Sequence, residues 1–294
     1  MGTPEWKKRE LEHLQRMWKE KTHSGLKHSR KMWNGIADEW DKELHENRKR
    51  QQRSSARVEK TVQYLIKTGA LTADSEVIDI GCGPGRFVAE FARTARHASG
   101  LDLSDQMAKH GMDHCHEMGL DNVSFLVMDF KTLDPAESGL TGKYDLVFSS
   151  ITPAVGSREG FLKAFEMSKR WFFNAAFIDI QDSLLDRLDS VLGTNSADPK
   201  NSEGFYAMFN EMLLKNYLPQ INYYIEKDTE YLRAEEALGK YSSMIWKDGA
   251  DEEQLSLLKK ELDSIKNENG LVSTEKQWVY GWMLVDKLKH CSGL

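Results

Sequence analysis

Proline and cysteine are scarce in this chain, and long apolar runs are missing. Six prolines and 40% hydrophobic residues in 294 positions describe a globular chain. The three cysteines, Cys82, Cys115 and Cys291, have neither disulfide nor metal-ligand spacing, which points to a reduced, intracellular protein. No run of about 18 apolar residues occurs, so no membrane span is expected. The first ten residues, M-G-T-P-E-W-K-K-R-E, lack the apolar core of a secretory signal. A cytoplasmic location is the expectation. Internal repeats and low-complexity tracts are also missing. The length suffices for a full core, as one large domain or one domain with an inserted cap.

Charge is unevenly spread. The net charge is −6, yet residues 1–60 hold 16 Lys/Arg against 10 Asp/Glu. A basic arm can serve nucleic acid, or it can be a solvated helical face docked on an acidic body. The pI near 5.9 favours the second reading and argues against a nucleic-acid substrate.

The most informative stretch is Val77–Phe87, V-I-D-I-G-C-G-P-G-R-F. Val77, Ile78 and Ile80 form a short apolar run of the buried parallel-strand kind. Gly81, Gly83 and Gly85 follow at alternate positions, and Phe87, Val88 and Phe91 then take helical spacing. Strand, glycine turn and helix form the nucleotide-binding element of open α/β sheets, because glycine lets backbone approach a ligand closely. A helix beginning there points free N–H groups into the turn. Arg86 occupies the third glycine position of the dinucleotide fingerprint, and no Lys-Ser/Thr pair follows as a P-loop requires.

Asp79, Gly81, Gly83 and Gly85 resemble the D-x-G-x-G-x-G signature of class I S-adenosylmethionine-dependent methyltransferases. In that family the turn meets the amino-acid part of the cofactor. The resemblance covers roughly residues 33–180 well and the remainder in outline. It implies a doubly wound, mostly parallel seven-stranded sheet with helices on both faces and an antiparallel last strand. It further implies S-adenosylmethionine as cofactor and S-adenosylhomocysteine as product.

Residues 5–22 read as an amphipathic helix, with Leu11, Leu14 and Trp18 at i, i+3 and i+7. The string Trp33-Asn-Gly-Ile-Ala-Asp-Glu-Trp-Asp41 resembles the W-x-x-x-A-x-x-[WY]-D segment of many small-molecule methyltransferases, where it folds over the cofactor pocket as a lid. A helix packed by two tryptophans gives the same pattern. Residues 48–57 read as a connector or the exposed start of the helix carrying Val58, Val62, Leu65 and Ile66. The expected organisation is a lid or arm over 1–50 and a methyltransferase domain over 51–294.

Ala98–Ser104 gives a second strand ending in Asp102, about 20 positions beyond the turn, where a carboxylate can accept from both ribose hydroxyls. Ser104 or Asp105 can N-cap the next helix. That helix carries His110 and His114 at i, i+4, without a further ligand; its histidines read as a solvated face, and no metal is expected. Val123–Val127 forms a third strand ending in Asp129 and Phe130, which the resemblance places at the adenine. Tyr144–Ser150 forms the fourth. The next residues, Ser149-Ser-Ile-Thr-Pro-Ala154, lack the paired prolines and aromatic of amine-directed relatives, which favours a small-molecule acceptor over a nucleobase or protein amide. Ser149 and Ser150 can bond near the transferring methyl or cap the next helix.

The resemblance assigns the cofactor to Asp79, Gly81, Cys82, Gly83, Gly85, Asp102, Leu103, Met107, Asp129, Phe130 and Ser149. Trp33, Ser150, Thr152 and Tyr206 are candidates for the acceptor pocket. Residues 170–178 suggest a fifth strand, about 181–219 a helical cap, Ile221–Ile225 a sixth strand, Glu230–Trp246 and Glu252–Glu268 helices, and Glu275–Leu284 a last strand. His23, His28, Asp179, Asp182, Tyr206, Tyr223 and Tyr224 could supply a base, but none has a motif partner, and no catalytic residue is assigned. Trp33, Trp40, Phe205 and Tyr206 could line the acceptor site or contact a sulfonium. RNA or protein methylation through the basic arm, and a cofactor-binding module without transfer activity, are the alternative functions.

Overall fold

The computed structural model describes residues 5–19, 29–46, 48–196 and 202–289. His23, His28 and Cys291 lie outside them, as does the side chain of Trp40. Three helices come first, α1 (Glu5–Lys19), α2 (Arg30–Glu46) and α3 (Arg48–Lys67). The alternating part follows: β1 (Glu76–Ile80), α4 (Arg86–Ala92), β2 (His97–Asp102), α5 (Asp105–Glu117), β3 (Val123–Val127), β4 (Tyr144–Ser150), α6 (Arg158–Met167) and β5 (Ser168–Asp182). The remainder is α7 (Ser183–Leu192), α8 (Ser202–Leu214), β6 (Gln220–Arg233), α9 (Ala234–Ile245), α10 (Glu252–Ile265) and β7 (Leu271–Asp286).

The seven strands lie in the order β3-β2-β1-β4-β5-β7-β6. The pairings β1–β2, β1–β4, β2–β3 and β4–β5 are parallel. The order reverses between β1 and β4, and the loops leaving those two strands diverge into a crevice.

The chain divides into two compact units. The first is Met1–Ala176, Gly204–Asn222 and Gly281–Leu294, and the second is Phe177–Glu203 and Tyr223–Tyr280. In the first unit, alternation along β5 sends successive aromatic rings to opposite faces of the sheet. Phe173 stacks on Phe148 at 4.9 Å, and Phe148 meets Phe87 and Phe91 of α4 at 4.5 and 5.0 Å. Tyr64 of α3 joins the same face through Phe173 and Trp282. Phe172 faces the other way, against Phe161 and Phe165 of α6, and Trp18 of α1 packs on Phe161. Each such buried ring contributes about 1.5–3 kcal/mol by removal of apolar surface from water.

The second unit has its own core, built from Leu184, Leu185 and Leu188 of α7, Leu232, Ala237, Tyr241, Leu258, Leu262 and Val272. Asp182 is the polar node beneath it. It caps α7 through the Leu184 and Leu185 N–H groups and accepts from Thr274 and from the Tyr241 hydroxyl. Burial and the Asp182 charge together push the Tyr241 phenol far above its ordinary range.

Several sequence expectations need correction. The fifth, sixth and last strands are longer than their apolar runs suggest, and residues 230–233 continue β6 instead of opening a helix. Glu230 pairs with Lys240, and Leu232 enters the core of the second unit. These contacts outweigh the helical pattern that begins there. The helices in the 181–219 stretch belong to different units, α7 to the second and most of α8 to the first. His110 does not lie on a solvated face. Its side chain is 22% exposed and its Nε2 lies 2.8 Å from Asp38 Oδ1 of α2. No cluster of metal-ligating side chains occurs among the described residues. None of the described helices is long and apolar enough to cross a membrane.

Candidate functional site

The crevice at the C-terminal ends of the strands holds a cavity. Four strand ends and two helices line it: Gly81 and Gly83 after β1, Leu101, Asp102 and Leu103 at β2, Met107 of α5, Asp129–Lys131 after β3, Ile151–Ala154 after β4, and Trp33 of α2.

The three turn glycines have left-handed backbones for different reasons. Gly81 (φ 71°) lies under Thr152, whose hydroxyl would collide with any added Cβ. Gly83 (φ 51°) has open space where a Cβ would stand. Gly85 (φ 72°) has the Phe125 ring at 2.8 Å and Gly111 Cα at 2.9 Å from a Cβ position, so it is required by packing. Gly81→Ala should therefore destabilise the fold by about 2–4 kcal/mol, combining left-handed strain with a clash. Gly83→Ala should cost only the strain of about 1–2 kcal/mol and instead obstruct a ligand. Urea unfolding alongside ligand titration checks the contrast, and equal effects of the two variants on both readouts would contradict it.

Asp102 ties the turn to β2. Its Oδ2 accepts from Gly83 N–H and its Oδ1 from Ser104 N–H, each at 2.9 Å. Burial raises its pKa, opposed by these backbone donors. Lone pairs beyond those used by the backbone donors remain on the carboxylate. Asp79 is 3% exposed, and burial, with the Asp102 charge adding, pushes its carboxyl well above the ordinary range. No described residue donates a hydrogen bond to it. A buried, unpartnered carboxylate beside a glycine turn is complementary to an ammonium group.

Ser104 caps α5 by accepting from Met107 N–H. Its hydroxyl donates to Asn34 Oδ1 at 2.6 Å, while Asn34 Nδ2 donates to Asp105 at 2.9 Å. Arg30 Nε donates to Leu103 O at 2.9 Å. With Asp38 on His110, these residues form an i, i+4, i+8 stripe that holds α2 on the β2–α5 corner, with Trp33 in the cavity wall. Asp129 Oδ1 accepts from Lys131 N–H and shapes the turn after β3. Ile151 has φ 54°, a strained conformation for a β-branched residue, and its N–H is held by Ala175 O at 2.9 Å.

Of the residues proposed from sequence, Gly81, Gly83, Asp102, Leu103, Met107, Asp129, Phe130, Trp33 and Thr152 share this cavity. Asp79, Cys82 and Gly85 stand around the turn without lining it. Ser149 is fully buried and donates to Asn174 Oδ1 at 2.8 Å, so its hydroxyl is spent inside the sheet. Ser150 is the last residue of β4 and does not line the cavity, and Tyr206 is 51% exposed on α8. Sequence reasoning missed Leu101, Lys131, Ile151, Pro153 and Ala154. Position directly after a parallel strand is the signal that could have found the last three.

A doubly wound seven-stranded sheet with a glycine turn after β1 and acids at the next two strand ends has the arrangement of the class I methyltransferase fold. Residues 77–172 match the family model described as a methyltransferase domain. An uncharacterized methyltransferase of Schizosaccharomyces pombe is 30% identical over 99 residues, 34% of this chain and 35% of the relative; the chain thus spans about a third of the length of the curated relative it matches. Among solved structures, the YcgJ protein of Bacillus subtilis is similar at 19% identity and TM-score 0.46, covering 76% of this chain and 98% of that one. A magnesium protoporphyrin IX methyltransferase from Synechocystis PCC 6803 with bound SAH is similar at 15% identity and TM-score 0.49, covering 85% and 96%.

Proposed function

We propose that the protein transfers a methyl group from S-adenosylmethionine to a small-molecule acceptor. The observation that carries this reading is the convergence of Gly83, Asp102, Asp129–Phe130 and Thr152 on one cavity, with Trp33 of α2 in its wall. S-adenosylmethionine brings a methyl group already activated by the sulfonium charge. The protein's part is then positioning in a water-poor site. Asp102 is suited to accept from the ribose hydroxyls while it anchors Gly83. Asp79 offers a negative charge to the methionine ammonium. Phe130 and Met107 supply apolar contact at the base, and Trp33 offers an aromatic face that favours a cation.

Helix α2 acts as a lid in this reading. Its stripe of Arg30, Asn34 and Asp38 fixes it beside the cofactor site, and an acceptor enclosed there would be small. Calorimetric titration with S-adenosylmethionine and S-adenosylhomocysteine tests the first half, with binding of both expected. A chain that binds neither is not a methyltransferase of this kind. A metabolite screen following S-adenosylhomocysteine release identifies the acceptor. Retention on RNA that weakens steeply with salt would instead favour a polymeric acceptor.

A further inference from the structure

We infer that Lys163 of α6 is a positioning residue for the adenine end of the cofactor, an inference that rests on the cavity being an S-adenosylmethionine site. The loop after β3 supplies Asp129, Phe130 and Lys131 to the cavity wall. Lys163 does not line the cavity and stands behind that wall. Its ammonium donates to Phe130 O at 3.0 Å and Lys131 O at 2.9 Å, and it lies 5.5 Å from the Phe130 ring centroid.

No described backbone N–H donates to either carbonyl, so one side chain satisfies both. Phe130 is 3% exposed, and the Lys163 side chain is 11% exposed with Glu159 one helical turn away at 3.8 Å. A nearly buried ammonium makes short, charge-assisted bonds, and removing it leaves the partly buried Phe130 carbonyl without its donor and the Lys131 carbonyl to solvent. Asp129 and its own turn bond to Lys131 N–H set the loop's inner curvature, and Lys163 fixes where that curve sits against α6. A shift of the loop would move the acid and the ring that border the base together.

The test is calorimetry with S-adenosylhomocysteine and with 5′-methylthioadenosine, which keeps the adenosine end and lacks the amino-acid end. Lys163→Met retains the length and the packing on Phe130 and removes the donors. It should weaken both ligands by a similar factor of about ten, while Lys163→Arg recovers most of the affinity. Amide exchange at residues 130–133 should accelerate in Lys163→Met without a change elsewhere in the sheet, which a general loss of stability would not produce. Should methionine destabilise the fold, Lys163→Gln serves for the same comparison. Wild-type affinity in whichever variant folds overturns the inference. So does a loss confined to the ligand with the amino-acid end. If the wild-type chain binds neither ligand, the cofactor reading itself falls and this inference with it.

Discussion

Exchanging Asp102 for alanine is expected to weaken S-adenosylmethionine binding by at least about a hundredfold, since two charge-assisted hydrogen bonds are worth roughly 1.5–3 kcal/mol each. The loss has two sources. Alanine removes the acceptor proposed for the ribose, and it frees Gly83 N–H and Ser104 N–H, which now both end on this carboxylate. Asparagine should be nearly as harmful. Either orientation of its amide turns an NH₂ group toward one of those two backbone donors, so donor meets donor. Glutamate keeps the charge but moves it by a methylene and should fall between. Calorimetry across the three variants is the check, with circular dichroism to confirm folding. An asparagine variant that binds like wild type would show that the carboxylate is not needed as a double acceptor.

Asp79→Asn is expected to move stability and binding in opposite directions. Burial and the neighbouring Asp102 raise the native pKa of Asp79. A carboxyl whose folded pKa exceeds its unfolded value contributes stability in full below the unfolded pKa and loses it as pH rises through the folded pKa. Above that raised folded pKa the ligand-free wild type therefore carries an unfavourable charge. Asparagine removes it, and the gain, of order 1–3 kcal/mol, should raise the melting temperature by about 2–4 °C per kcal/mol. The advantage should vanish in acid, where Asp79 is protonated in both states. Cofactor affinity should do the reverse. A cationic ammonium favours the ionised carboxylate, so wild-type affinity rises with pH through the Asp79 titration, while the asparagine variant binds at least tenfold more weakly near neutrality. Thermal melts and titrations across a matched pH series test both halves, and an asparagine variant whose stability relative to wild type does not rise with pH would refute the electrostatic account.

The local parts of the site were legible because their causes are local. A buried strand followed by alternate glycines restricts the backbone whatever surrounds it, and Gly81, Gly83 and Gly85 all adopt positive φ. Asp102 and Asp129 were legible because parallel strands bring their C-terminal ends to one edge. Ser149 shows where this reasoning stops. Its position at a strand end was right, but side chains alternate along a strand, and pairing with Asn174 turns the hydroxyl into the interior. Tyr206 shows the same limit for a helix: the pattern over α8 was readable, while the direction of each face was not.

The sequence by itself determined the fold class, the turn that breaks β1 from α4, and the two acids at the ends of β2 and β3, because period and glycine content act over a few residues. Only the tertiary structure decided what closes around them. Lys163 meets the backbone of Phe130 and Lys131 across more than 30 residues, and Asn34 meets Ser104 across 70. Such pairings depend on how helices dock against the sheet, which no local pattern encodes.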